Sequence, residues 1–183
     1  LSPALSKHLR ALAKREGCTQ YTVLLSAFYV LLNRYCDEHD LAVGTPVANR
    51  TLRELEALIG FFVNTLVVRT DLSGNPTFSE LIERVRRSTD GALSNQDYPF
   101  DRLVDVIQPR RLTNQNPIFQ TMFAFQNTPA VVDRIGDASI AIEEFDNHTA
   151  VFDLTLNLYE VDEQISGYFE YSTELFDAES ISR

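Results

Sequence analysis

The sequence predicts an α/β (α+β) fold, a two-layer sandwich in which a mixed, largely antiparallel β-sheet is flanked by helices. Three observations support this prediction. The first 35 residues contain two segments with apolar residues at helical spacing, the middle of the chain alternates strand and helix patterns, and the last third changes to a period of two. Helices and strands in this arrangement bury their apolar sides against one another in layers.

Two helices are predicted at the start of the chain. Ser2 and Pro3 form a helix start, a capping residue followed by proline at the first helical position, and Gly17 is the predicted end. A second helix is expected from about Gln20 to Tyr35. Because this segment is apolar on nearly all sides, we expect the helix to be buried.

Strands and helices then alternate. Short strands are predicted at Leu41–Val47 and Val63–Arg69, with a short helix at Arg53–Leu58 between them. The segment Thr77–Glu80 has the pattern of a capping box, which predicts that a helix begins there with its charged run exposed to solvent. A further short helix is expected after Pro99. The residues expected on the buried side of the capping-box helix are Phe78, Leu81, Ile82 and Val85.

The last third of the chain predicts strands with one apolar face. Apolar residues alternate with other residues in the segments 119–126, 152–159 and 165–171. The segment Val161–Gln164 is the predicted turn between the last two strands. Asp177 has the pattern of an N-cap, which predicts a final helix.

The charge of the chain argues against nucleic acid and anionic membranes as partners. The net charge is −10, and residues 131–183 alone hold two basic and thirteen acidic side chains. An acidic surface repels phosphate groups.

The longest apolar stretch is too short to span a bilayer, and no signal peptide is visible. With only two cysteines, the sequence predicts a cytoplasmic protein with reduced thiols.

The sequence contains no recognisable catalytic or metal-binding constellation. His8, His39 and His148 have no partner at a metal-ligand spacing, and nucleophile-elbow, phosphate-loop and dinucleotide motifs are absent. Cys18 and Cys36 have apolar neighbours and are expected to be buried structural thiols. We therefore expect no catalytic residue, no metal and no cofactor bound by this chain itself.

Two stretches carry polar residues that a purely structural interpretation does not explain. In Ile59–Arg69 the predicted strand holds Asn64 and Thr65 within an apolar run, and a buried amide or hydroxyl without a partner costs about 1–3 kcal/mol. In Asn95–Asp101 four polar residues and a proline stand directly before an apolar helix. The simplest interpretation of this second stretch is a loop in which Asp97 caps the helix.

These stretches resemble two motifs of the condensation domains of nonribosomal peptide synthetases. Ile59–Arg69, IGFFVNTLVVR, matches the family motif IGxFVNTxxxR completely, and Asn95–Asp101, NQDYPFD, matches [HN]QDxPF[ED] completely. A third motif, RDxSRNPL, is matched in part by Arg111–Ile118, in which the leading Arg, Asn116 and Pro117 fit. The motifs occur in the family's order, and the resemblance covers the whole chain.

The resemblance implies a lobe similar to chloramphenicol acetyltransferase, with residues 1–183 forming the C-terminal half of a two-lobed condensation domain. In such domains an amine attacks a thioester, and partner carrier proteins present both substrates on phosphopantetheine arms. The family's catalytic HHxxxDG motif belongs to the N-terminal lobe and does not occur here. The chain, which starts at Leu1 rather than Met, is therefore expected to be an inactive piece of a longer protein.

The resemblance also assigns parts of the lobe and its partners. It implies a floor loop within residues 44–61, a latch at Val131–Glu143, and as partners the N-terminal lobe, carrier proteins and an adjacent adenylation domain. The residues expected to line or support the substrate tunnel are Gly60, Phe61, Asn64, Thr65, Arg69, Gln96, Asp97, Pro99, Phe100, Asn116 and Pro117.

Two functions remain open on this evidence. The two complete motifs favour half of a peptide-bond-forming enzyme in antibiotic or other secondary-metabolite biosynthesis. The incomplete third motif favours a catalytically inactive condensation-like module that docks a carrier protein or recruits a partner enzyme. Because the N-terminal lobe is missing from this sequence, we also expect exposed apolar surface and self-association of the isolated lobe.

Overall fold

The fold is known here from a computed structural model that describes residues 1–109, 115–126, 134–135, 137–139 and 148–183. A 3₁₀ turn at Arg53–Leu55 takes the place of the short helix predicted over Arg53–Leu58. The helices are α1 (Pro3–Arg15), α2 (Gln20–Cys36), α3 (Phe78–Leu93), α4 (Phe100–Ile107) and α5 (Ala178–Ser182). The strands are β1 (Asp40–Val47), β2 (Asn64–Asp71), β3 (Thr121–Gln126), β4 (Arg134–Ile135), β5 (Ala138–Ser139), β6 (Leu154–Val161) and β7 (Gln164–Tyr171).

Five of the strands form one mixed sheet in the order β2-β1-β3-β6-β7. The pairs β1–β2 and β6–β7 are antiparallel, whereas β3 runs parallel to both of its neighbours. The predicted α/β sandwich with a mixed sheet is confirmed, although parallel pairing is more extensive than expected. The long connection between β1 and β3, which contains β2, α3 and α4, allows this parallel pairing. Strands β4 and β5 pair separately.

The core lies between the sheet and the first three helices. Phe28 of α2 stacks on Phe123 of β3 with ring centroids 5.9 Å apart, and the Tyr29 hydroxyl donates to the Val68 carbonyl at 2.6 Å. Each such buried aromatic or aliphatic side chain contributes about 1.5–3 kcal/mol through removal of apolar surface from water. The expectation that α2 is buried holds for its first half, whereas Leu31 and Tyr35 near its end are exposed.

The predicted helix starts are confirmed by their hydrogen bonds. The Ser2 hydroxyl accepts from the Leu5 amide, Thr77 and Glu80 form the reciprocal capping box, and the Asp177 carboxylate accepts from the Ser180 amide. These caps pair amide groups at the helix starts that have no partner within the helix. The predicted turn between β6 and β7 is also present, with Asp162 and Glu163 at positive φ.

Two burial predictions are wrong. Phe78 is 38% exposed, because the first turn of α3 is exposed as a whole and burial begins at Leu81. Cys36 is exposed because it is the last residue of α2, at the end of the helix that leaves the core, and Cys18 is half-buried. Both thiols are free. Among the helices within the described ranges, none is both long enough and apolar enough to cross a membrane.

Candidate functional site

Asn64 joins the two motifs that the sequence matches completely. Its side-chain amide donates to the backbone carbonyls of Gln96 and Tyr98 at 2.8 and 2.9 Å. Its Oδ1 accepts from the amides of Thr65 and Phe100 at 2.9 and 3.2 Å. The expectation that Asn64 needs polar partners is confirmed, and its contacts fix the start of β2 against the loop before α4.

Asn64 also replaces the predicted helix cap. The sequence predicts Asp97 as the cap of α4, but Pro99 occupies the N-cap position, and the proline side chain has no hydrogen-bond acceptor. Asp97 lies two residues farther out and is exposed. The Phe100 amide therefore receives its acceptor from Asn64 on the neighbouring strand. The prediction for Asp97 is wrong because a tertiary contact has taken over a role that is usually local.

A row of aromatic rings connects Phe100 of the second motif to Phe119, the residue directly after the third motif. Phe100 lies 5.6 Å from Phe119 between ring centroids, and Phe119 stacks on Phe152 at 5.3 Å. Phe119 is 2% exposed and lies directly on Gly44 of β1, where a Cβ atom would overlap its ring. Only glycine at position 44 leaves room for this ring.

The third motif is described from Gln115 onward, and Arg111 lies outside the described residues. The Asn116 side-chain amide donates to the Val151 carbonyl at 3.2 Å, and the Asn116 carbonyl accepts from Gln120 at 3.1 Å. Pro117 is half-buried next to it. These contacts hold the chain before β3 against the chain before β6, which supports the position of Phe119.

Arg50 anchors the loop between β1 and β2, a role that the sequence analysis missed. Its guanidinium donates to the carbonyls of Leu55, Leu58 and Gly60, the last two at 2.9 and 3.5 Å. It also lies 4.3 Å from the centroid of the Phe62 ring, a cation–π contact. One signal was available in the sequence: Arg50 is the only cation in residues 41–52, directly after a strand.

The anchored loop presents apolar side chains to solvent. Ile59 is fully exposed and Phe61 is 91% exposed, although both belong to the first motif. Leu58 and Val63 are also exposed. Large apolar side chains that are exposed together mark an interaction surface. We call this set, Leu58, Ile59, Phe61 and Val63, the loop patch.

Arg69, at the far end of the first motif, forms a surface ion pair. Its guanidinium makes two bonds to Asp40 on the neighbouring strand, at 2.8 and 2.5 Å. The Arg69 hydrogen bond lowers the pKa of the Asp40 carboxyl. Both groups are exposed, so this pair contributes little to stability. Arg69 therefore differs from Asn64 in its role, because it fastens β1 to β2 and does not join the motifs.

In the described part of the chain, no group of three or more His, Cys, Asp or Glu side chains is placed to hold a metal ion. His39 shares a hydrogen bond with the Asn33 side chain at 3.1 Å. Burial raises the pKa of the Asp153 carboxyl, whose backbone amide donates to the Gln120 carbonyl. The contacts described above therefore hold the motif residues in place beside the exposed loop patch.

Most of the proposed latch, Val131–Glu143, lies outside the described residues.

Comparison with known proteins identifies the family. Malpinin synthetase from Mortierella alpina is 45% identical over 179 residues, which are 98% of this chain and 2% of that protein. The crystal structure of holo-AB3403, a four-domain nonribosomal peptide synthetase, matches all of this chain over 15% of its own length, with a TM-score of 0.89 and 27% sequence identity. The crystal structure of the X-domain from teicoplanin biosynthesis matches 98% of this chain over 42% of its own length, with a TM-score of 0.85 and 26% sequence identity. The family model described as Condensation domain matches residues 1–183, and the chain belongs to that family.

Proposed function

We propose that this chain is the C-terminal lobe of a condensation domain that forms peptide bonds in nonribosomal peptide synthesis. The observation that carries the proposal is the bonding of Asn64 to Gln96, Tyr98 and Phe100, which builds two complete family motifs into one unit. The 45% identity to malpinin synthetase over nearly the whole chain supports the same function. The role of this lobe is to form the tunnel wall and the surface against the N-terminal lobe.

The reaction needs little acid–base chemistry from this lobe. The amine of the acceptor attacks the carbonyl carbon of the donor thioester, an amide bond forms, and the phosphopantetheine thiol of the donor carrier protein leaves. A histidine of the N-terminal lobe positions the amine or takes its proton. The carrier proteins bring the phosphopantetheine arms, and the adenylation domain of the same synthetase loads them. This chain contributes the orientation of the two substrates.

The loop patch is the surface that the N-terminal lobe covers. Its members Ile59 and Phe61 are almost wholly exposed, while Arg50 holds the backbone beneath them in one shape. A patch of this kind on an isolated lobe favours self-association. Sedimentation of the lobe alone and with an added N-terminal lobe tests this role. A monomeric lobe that does not bind the N-terminal lobe contradicts it.

Reconstitution tests the proposed function. The domain containing this chain and its N-terminal lobe is mixed with two carrier proteins that are loaded with aminoacyl thioesters, and dipeptidyl carrier is measured by mass spectrometry. Dipeptide is expected with the intact domain and not with this chain alone. If the intact domain forms no dipeptide with any pair of a broad aminoacyl set, the enzyme function is wrong.

A second function is favoured by one comparison. The X-domain from teicoplanin biosynthesis matches this chain at a TM-score of 0.85, and a complex of the X-domain with OxyB is among the solved structures that match. By analogy, an inactive domain of the present kind docks a carrier protein or recruits a partner enzyme. An intact domain that binds loaded carrier protein without forming dipeptide supports this second function.

A further inference from the structure

A cavity of about 580 Å³ opens at the carboxyl ends of β1 and β3. The first turn of α2 and the second half of α3 form its other walls. In sheets with parallel strands, ligands bind beyond the carboxyl ends of the strands, and β1 and β3 are parallel neighbours. The volume lies within the range of small-molecule sites. The lining residues on which the argument depends are Gln20, Tyr21, Arg86, Thr89, Asp90 and Ala92.

Three of the lining residues carry buried polar atoms that make no hydrogen bond of normal geometry with a described residue. Gln20 Nε2 and the Thr89 hydroxyl are two of them, and the third is the Tyr21 hydroxyl, whose one polar contact is a weak interaction with the Thr45 side chain. Thr89 as a whole is 8% exposed. Only three further side-chain atoms in the described ranges share this condition. Because buried polar groups are nearly always paired in folded proteins, their concentration at one cavity indicates a missing partner.

The chemistry of the cavity restricts that partner to an uncharged group. The two charged lining residues, Arg86 and Asp90, pair with each other at 3.5 Å, and Arg86 is also paired with Glu83. Burial raises the pKa of Tyr21 to about 12, so its hydroxyl stays protonated and can donate. An amide N–H and a phenol O–H seek an acceptor oxygen. The remaining walls are mainly apolar, including Leu66, Val68 and Phe125.

We propose that this cavity receives the acyl part of one carrier-bound substrate, with its apolar side chain against the strands and a carbonyl oxygen toward Tyr21 and Thr89. This inference rests on the proposed function and adds the substrate class: uncharged aminoacyl groups with large apolar side chains. The position of the cavity supports it, because β1 continues directly from Val47 into the loop that Arg50 anchors.

Filling the cavity tests the inference. Ala92→Phe is made in the intact two-lobed domain, since Ala92 lines the cavity and is half-buried. Dipeptide formation is compared for alanyl, leucyl and phenylalanyl thioesters, with the donor and the acceptor varied in turn. For one of the two substrates, Ala92→Phe is expected to slow the phenylalanyl reaction at least tenfold and the alanyl reaction less than threefold. Ala27→Phe, at an exposed position of α2, is the matched control and leaves both rates unchanged.

A second variant removes the polar contact without filling the cavity. Thr89→Val keeps the shape of the side chain and deletes the unpaired hydroxyl. Its thermal midpoint is expected to stay level or rise, while KM for the phenylalanyl thioester rises about threefold to tenfold, as for the loss of one hydrogen bond. Equal rate changes for all side chains in Ala92→Phe, together with an unchanged KM in Thr89→Val, overturn the inference.

Binding separates this inference from the proposed function. N-acetyl-leucyl pantetheine thioester is titrated into the intact domain, and threonine methyl resonances are followed by NMR. Shifts at Thr89 that disappear in Ala92→Phe support the site even if no dipeptide forms, in which case only the enzyme function is wrong. Dipeptide formation without any shift at Thr89 supports the enzyme function and overturns the site.

Discussion

The Asn64 side chain on β2 caps helix α4 from outside the helix, with its Oδ1 accepting from the Phe100 amide at 3.2 Å. A helix usually receives its cap from the residue directly before it, but here that residue is Pro99, which offers no side-chain acceptor. The cap therefore depends on a strand that lies 36 residues earlier in the chain. As a result, this hydrogen bond at the start of α4 forms only when β2 is in place.

Replacing Asn64 by alanine is expected to destabilise the lobe and to disorder the start of α4. The change removes a helix cap and leaves the Gln96 and Tyr98 carbonyls without their donor, which together cost about 2 kcal/mol. Urea unfolding measures the loss. Asn95→Ala is the matched control, because the Asn95 side-chain amide donates to the Gly91 carbonyl four residues earlier and does not join the two motifs. Equal losses in both variants contradict the special role of Asn64.

Arg50 is expected to control the shape of the loop patch rather than the stability of the core. In Arg50→Lys a single ammonium replaces the planar fork that reaches the Leu58 and Gly60 carbonyls, so the loop loosens. Hydrogen exchange of amides 55–61 is expected to accelerate while the unfolding midpoint changes little. Arg53→Lys, at an exposed position of the same loop, is the control. Unchanged exchange in Arg50→Lys refutes the anchoring role.

The same loosening is expected to reach activity in the intact two-lobed domain. If Arg50 presents the loop patch to the N-terminal lobe, Arg50→Lys slows dipeptide formation by about tenfold, on the order of 1.4 kcal/mol in the barrier. A large excess of carrier protein does not restore the rate, because the fault lies in the pairing of the lobes. Full recovery at high carrier concentration places the role of Arg50 in carrier binding instead.

Local features were predictable from the sequence, and contacts between distant residues were not. The capping box of Thr77 and Glu80 involves residues three apart, so the pattern alone identifies it. The sequence also indicated that Asn64 needs partners, but those partners lie 32 to 36 residues away. Strand alternation identified β3 and its apolar side, whereas its parallel pairing depends on how the chain returns through two helices. Arg50 was missed because its hydrogen-bond partners are backbone carbonyls, which no side-chain pattern reveals.

Gly44 is expected to tolerate no side chain because Phe119 lies on it. Gly44→Ala places a methyl group within the Phe119 ring and is expected to cost about 1–3 kcal/mol. Combined with Phe119→Leu, the change costs less than the sum of the two single changes, since the smaller side chain leaves room. Gly91→Ala in helix α3 is the control, because a Cβ atom at this position has no neighbouring atom within 4 Å. This variant is expected to stabilise the lobe by about 0.5–1 kcal/mol. Additive costs refute the contact.

The ion pairs of Glu83 with Arg86 and Arg87 on α3 are expected to make the thermal stability of the lobe depend on pH in the acid range. Hydrogen bonds from Arg86 and Arg87 lower the pKa of Glu83 from 4.5 to about 2. A carboxyl whose pKa is lower in the folded state stabilises the fold fully above its ordinary pKa and loses that contribution as pH falls toward 2. Glu83→Gln should therefore lower the thermal midpoint slightly at pH 7, with a difference that shrinks between pH 4.5 and 2. The exposed pair is also weakened by salt. Glu174→Gln, at an exposed position, is the control. If the difference in thermal midpoint between Glu83→Gln and the parent stays constant from pH 7 to pH 2, the ion pairs are not its origin.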